Sequence, residues 1–171
     1  PRSPPASPVV WPSSCAGQLG LQSYSYEVGS GCTCSATSFV VPTDITAIPP
    51  NAFAWCDSLT SVIAHPAVTE VGEYAFSGTG LELFAWPVGA TTVPAHAFYN
   101  AASLKTITGL EAVTEVGEFA FSRTGLESLA WPHKSSTVPN DAFYSAASLK
   151  TITGLEAVTE VGAYAFSRTG L

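Results

Sequence analysis

Residues 82–126 read ELFAWPVGATTVPAHAFYNAASLKTITGLEAVTEVGEFAFSRTGL, and residues 127–171 read ESLAWPHKSSTVPNDAFYSAASLKTITGLEAVTEVGAYAFSRTGL. The two stretches differ at only 11 of 45 positions, so the chain is an internal repeat, and its fold must be one that repeats along an axis. Each 45-residue unit is itself double. An Ala-Phe pair recurs with Phe53, Phe76, Phe98, Phe121, Phe143 and Phe166, at spacings of 23, 22, 23, 22 and 23. A Leu opens successive coils at Leu59, Leu81, Leu104, Leu126, Leu149 and Leu171.

Working outward from that frame, every coil has one grammar. Three residues after the opening Leu stands Val62, Phe84, Ile107, Leu129 or Ile152. Twelve residues after it stands Val71, Val93, Val116, Val138 or Val161, followed by Gly or Pro, and the Phe comes five residues later. Ala36 replaces the Leu in the first coil, where Phe39, Ile48 and Phe53 keep the register. The Leu-x-x-apolar segment predicts a short strand, and the Val-Thr-Glu-Val-Gly segment a second extended stretch. Gly72, Gly117, Gly162, Pro49, Pro94 or Pro139 makes a tight turn, and the Ala-Phe piece a short helical or irregular return. One such coil cannot bury its own apolar side, whereas about six stacked coils can.

Two ladders support the stacking. Strands in a sheet lie about 4.8 Å apart, so equivalent positions of adjacent coils become neighbours. Directly after the opening Leu come Glu82, Lys105, Glu127 and Lys150, alternating in sign and expected to pair at about 0.2–1 kcal/mol per contact. Five residues after the Leu come Ala64, Trp86, Gly109, Trp131 and Gly154, large alternating with small as interdigitated packing requires.

The pattern seen as LKTITGLEAVTEVGEFAF and LTSVIAHPAVTEVGEYAF resembles the BspA-type leucine-rich repeat over roughly residues 36–171. Cys56 in NAFAWCDSL matches the Cys that commonly follows the core Phe in that family. The resemblance implies a right-handed, β-rich leucine-rich-repeat solenoid, here with alternating 22- and 23-residue coils. It also implies surface or secreted microbial proteins that bind proteins of a host or neighbouring cell, and it implies no catalytic residue.

Composition narrows the function classes. Apolar residues make up 46% of the 171 and charged ones 11%, well under the roughly 25% usual in soluble domains, so Ser, Thr, Ala and Gly must carry the surface. A net charge of −7 argues against nucleic acid or an anionic membrane as partner, since both call for clustered Lys and Arg. No stretch approaches the roughly 18 apolar residues of a membrane span, and no signal peptide is visible from Pro1 onward.

Residues 1–12 hold five of the thirteen prolines and read as an extended linker. Residues 13–35 carry Cys15, Cys32 and Cys34 and read as an N-terminal cap for the apolar end of the solenoid. A disulfide from Cys15 to Cys32 or Cys34 is the working assignment; reduced thiols, or zinc at a Cys-x-Cys spacing tighter than usual, are its competitors. Cys56 reads as a small core residue. Leu171 opens a coil that does not follow within the chain, so an open apolar edge and end-to-end association are expected.

Catalytic constellations fail on internal comparison. His96 becomes Asp141 and Val88 becomes His133 in the next copy, and His65 lies between coils. Glu70, Glu115 and Glu160 recur as a solvated face would, and neither a phosphate loop nor a nucleophile elbow is present. No enzyme activity, cofactor or metal is expected. Thr106-Ile107-Thr108 and Thr151-Ile152-Thr153 suggest an ice-binding array, but Leu83/Ala85 and Ser128/Ala130 interrupt it at every second strand.

The expected function is therefore protein binding by an extracellular or cell-surface module. The candidate face is Glu82, Leu83, Ala85, Lys105, Thr106, Thr108, Glu127, Ser128, Ala130, Lys150, Thr151 and Thr153. A second candidate is the loop Val88-Gly89-Ala90-Thr91, which becomes His133-Lys134-Ser135-Ser136 in the next copy. A structural coat or spacer array, a cytoplasmic adaptor, and a module attached to an enzyme domain elsewhere are the alternatives.

Overall fold

The computed structural model describes residues 37–171. It is a β-solenoid of about five turns with a spacing of about 23 residues, as the repeat requires. Each coil supplies one three-residue strand: β1 (Ser38–Val40), β3 (Ser61–Ile63), β5 (Leu83–Ala85), β7 (Thr106–Thr108), β9 (Ser128–Ala130) and β11 (Thr151–Thr153). Each also supplies a two-residue strand: β2 (Ala47–Ile48), β4 (Glu70–Val71), β6 (Thr92–Val93), β8 (Glu115–Val116), β10 (Thr137–Val138) and β12 (Glu160–Val161). Side chains alternate across a strand, so the middle residue of each three-residue strand points inward. Val62, Phe84, Ile107 and Leu129 are buried there. The connection after β7 and β11 winds into short 3-10 turns, Leu110–Ala112 and Leu155–Ala157.

The Ala-Phe segment is a tight turn in every coil. Phe53, Phe76, Phe98, Phe121 and Phe143 are fully buried and form one column with Phe166, their rings near-parallel at 5.4, 5.3, 5.9, 5.3 and 5.5 Å. The backbone around each Phe enters the left-handed region twice, four residues apart, as at His96 and Asn100 or Asp141 and Ser145. Between those two positions every second N–H points to the next coil. His96, Phe98 and Asn100 donate to the carbonyls of Glu118, Ala120 and Ser122, each at 2.9 Å. The same three-bond clasp links every pair of neighbouring coils from Asn51 to Ser167. This turn face is a continuous hydrogen-bonded spine.

The strand faces are not continuous. Six separate parallel pairs form, β1–β3, β2–β4, β5–β7, β6–β8, β9–β11 and β10–β12, each joining residues 23 apart, such as Phe84 with Ile107 and Val93 with Val116. Coils 22 residues apart pack without a strand ladder. Part of the cause is legible in the chain. Gly72, Gly117 and Gly162 close their ladders by donating to Ile48, Val93 and Val138 at 2.7–2.8 Å, and the equivalent residue at the 22-residue step is Pro94 or Pro139, which has no N–H. The duplicated 45-residue unit is thus a hydrogen-bonded unit of four strands.

The Trp/Gly alternation holds, with a reason beyond volume. Trp86 and Trp131 are buried, while Gly109 and Gly154 have φ of +83° and +80° and lie against the carbonyls of those tryptophans, where a Cβ would sit 2.6 and 2.8 Å from the oxygen. The charge ladder is corrected. Glu82, Lys105, Glu127 and Lys150 do line up, but among the described residues none is in an ion pair; exposed side chains one coil apart gain little from closing such a pair. The reading of Cys56 is corrected as well. It is fully buried as expected, yet it is disulfide-bonded rather than a free core thiol. The candidate bridge among Cys15, Cys32 and Cys34, the linker and the cap lie outside the described residues.

Candidate functional site

The outward face of the three-residue strands is set by the inward turn of their middle residues. Glu82, Leu83, Ala85, Lys105, Thr106, Thr108, Glu127, Ser128, Ala130, Lys150, Thr151 and Thr153 are all exposed. Strand pairing sets Leu83 beside Thr106 and Ala85 beside Thr108, then Ser128 beside Thr151 and Ala130 beside Thr153. The eight strand residues therefore share one face, as two hydrogen-bonded strand pairs, and Glu82, Lys105, Glu127 and Lys150 are exposed directly before those strands.

That face extends further than the duplicated units. Val40 and Ile63 are register partners in β1 and β3 and expose 65% and 59% of their surface, with Leu83 of the next coil at 58%. Val40 and Ile63 thus form an exposed apolar pair, with Leu83 at the first position of the next coil's strand, while the later strands present Thr, Ser and Ala. Val40 and Ile63 precede the near-identical copies, which begin at Glu82. Their signal was present: each directly follows an inward apolar residue, Phe39 or Val62.

The second candidate, the loop that differs between copies, is pinned from below. Trp86 Nε1 donates to the carbonyl of Ala90 at 2.9 Å and Trp131 Nε1 to that of Ser135 at 3.3 Å. Ala90 and Ser135 are buried, and Val88, His133 and Lys134 stand exposed. Variation between the copies is greatest where side chains meet solvent.

Shallow clefts open where the second ladder is interrupted, between β4 and β6 and between β8 and β10. Thr69, Glu70, Val71, Thr91 and Thr92 line one, and Thr114, Glu115, Val116, Ser135, Ser136 and Thr137 the other. Their walls are polar, with one carboxylate each. Among the described residues, no group of three or more His, Cys, Asp or Glu is placed to hold a metal ion, and no helix is long and apolar enough to cross a membrane.

The histidines take up structural positions. His65 Nε2 lies 2.9 Å from the carbonyl oxygen of Pro42, one coil away. His96 is sandwiched between Tyr74 at 4.4 Å and Phe119 at 4.9 Å, both rings near-parallel to it. Burial pushes its pKa below the ordinary 6.5, opposed by the negative charges of Glu73 and Glu118.

The family model described as a BspA type leucine rich repeat region of six copies matches residues 27–128 and 69–171. This chain belongs to the BspA-type leucine-rich repeat family. Solved structures agree on the fold. The leucine rich repeat protein TpLRR of T. pallidum is similar with a TM-score of 0.64 at 24% identity, covering 74% of this chain and 69% of that one. A leucine-rich repeat protein from Bacteroides ovatus is similar with a TM-score of 0.50 at 22% identity, covering 81% of this chain. The BspA-type chain spans about half of that protein, 48% of its length. No curated protein matches it.

Proposed function

We propose that this BspA-type array is a protein-binding module of a secreted or cell-surface protein, and that its ligand docks on the outward strand face. The observation that carries the reading is the exposed cluster of Val40, Ile63 and Leu83 on three successive coils. Exposed large apolar side chains on successive coils of a solenoid whose core is already filled favour an interaction site, and the neighbouring Thr and Ser hydroxyls supply a polar rim. The disulfide at Cys56 supports an oxidising compartment over the cytoplasmic adaptor. It also supports residues 13–35 as the cap, since every other cysteine precedes residue 36.

The test is binding of purified extracellular-matrix and cell-surface proteins to the immobilised chain and to an Ile63→Glu/Leu83→Glu variant. A ligand held by the parent and weakened about tenfold or more by the variant supports the face. Equal binding by the variant moves the site elsewhere. A structural coat or spacer array is the second reading, favoured by the hydrogen-bonded spine, which provides length and stiffness without a ligand. Self-assembly with no captured ligand would favour it. Val161, Tyr164 and Leu171 of the last coil, each more than half exposed, are where end-to-end association of the isolated chain would occur.

A further inference from the structure

We propose that two copies of this chain pair face to face through the row Glu82, Lys105, Glu127 and Lys150, with their solenoid axes antiparallel. The row has a fixed pitch, because backbone bonds run through all four residues: Lys105 N–H to Glu82 O at 2.9 Å, Glu127 N–H to Lys105 O at 3.4 Å, and Lys150 N–H to Glu127 O at 2.9 Å. All four side chains are exposed, and among the described residues none is in an ion pair. Their charges face solvent.

A row of four alternating charges is complementary to its own reverse. A two-fold axis along the strand direction turns the face onto itself, reverses the solenoid axis and keeps each row opposite its own copy, which is the isologous arrangement of a symmetric dimer. With that axis between the coils of Lys105 and Glu127, Glu82 meets Lys150 of the second copy and Lys105 meets Glu127 of the second copy. Symmetry repeats both contacts, so all four charges are opposed by their opposites. A slip by one coil sets Glu against Glu and Lys against Lys, so the charge pattern selects the register as well as the partner. In the same register Thr106 faces Ser128 and Thr108 faces Ala130, small side chains that let the sheets approach. Four short strands a side make an area below that of a standard stable complex. The dimer is weak, reversible and weakened by salt.

The test is sedimentation velocity of the 171-residue chain over a concentration series at about 0.05 M and about 0.5 M salt. Two variants accompany it: Lys105→Glu/Lys150→Glu, whose row is all acidic, and Glu82→Lys/Glu127→Lys, whose row is all basic. The parent is expected to dimerise at low salt and less at high salt. Each variant alone is expected to stay monomeric at concentrations where the parent dimerises, and an equimolar mixture of the two is expected to dimerise. A parent that is monomeric throughout overturns the proposal. Variants that associate as well as the parent overturn it in favour of end-to-end stacking or the Val40–Ile63 cluster. A mixture that stays monomeric while both variants keep the parent's circular dichroism overturns it too.

Discussion

The amide of Gly117 donates to the carbonyl of Val93 at 2.8 Å, one coil back along the axis. Thr114 makes a similar bond to Thr91, also at 2.8 Å. At the next step Pro139 stands in the glycine's place and no strand ladder forms. Hydrogen exchange should therefore alternate along the second ladder. The amides of Thr114, Gly117, Thr159 and Gly162 are expected to exchange more slowly than those of Thr91 and Ser136, because protection follows the bond that must open. Uniform exchange by residue-resolved NMR would contradict the four-strand unit.

Gly109 is a backbone requirement. Its φ is +83°, and a Cβ would lie 2.6 Å from the Trp86 oxygen. A left-handed conformation costs an ordinary residue roughly 1–2 kcal/mol, and the clash adds to that. Gly109→Ala is expected to lower the urea midpoint by at least that much in free energy. Gly89→Ala, at a glycine without positive φ, meets only the close approach, a Cβ 2.8 Å from the Pro66 and Val68 oxygens, and so separates the clash from the backbone conformation.

Phe121 sits inside the aromatic column, stacked between Phe98 and Phe143 at 5.9 and 5.3 Å and fully buried. Phe121→Ala is expected to cost about 3–5 kcal/mol, measured by chemical denaturation. A value below about 1 kcal/mol would mean that the column is not a principal source of stability.

His96 carries a pH dependence of defined sign. Burial lowers its folded pKa below the unfolded 6.5, so the folded state binds fewer protons and stability is full above 6.5. That contribution is lost as the pH falls from the unfolded value through the folded one. The melting temperature of the parent is expected to fall more between pH 7.5 and pH 5 (roughly the window in which His titrates) than that of His96→Phe. Parallel curves for the two proteins would remove His96 from the account.

Cys56 is expected to be unreactive toward alkylating reagents until the protein is reduced, because it is buried and disulfide-bonded. Peptide mapping under non-reducing conditions identifies its partner. Cys56→Ala is expected to cost about 2–5 kcal/mol and to expose one newly labelled thiol.

The coil period, the inward Phe column and the Trp/Gly alternation were legible in the sequence because each is a periodic choice between large and small, or between apolar and polar, and burial enforces it at every turn. Membership of a coil, and so the exposed strand face around Thr106 and Thr151, follows from the same periodicity. The Val40–Ile63 cluster was legible too, but only in the least regular coil, where comparing the near-identical copies has no purchase. The interruption of the ladders was half visible in Pro94 and Pro139.

By itself, then, the sequence determined that the chain stacks, at what period, and which side chains fill its interior, since a repeat of this size has no other way to bury its apolar residues. Tertiary structure decided what depends on where backbone groups meet across coils. It made the Ala-Phe turns a continuous spine and the strands three separate units, because a hydrogen bond needs an N–H within reach of a carbonyl and not merely a matching residue. It left Glu82, Lys105, Glu127 and Lys150 in register but unpaired, because solvent competes with an exposed ion pair. It also joined Cys56, buried among coil residues, to a disulfide, because covalent pairing follows distance in space rather than spacing along the chain.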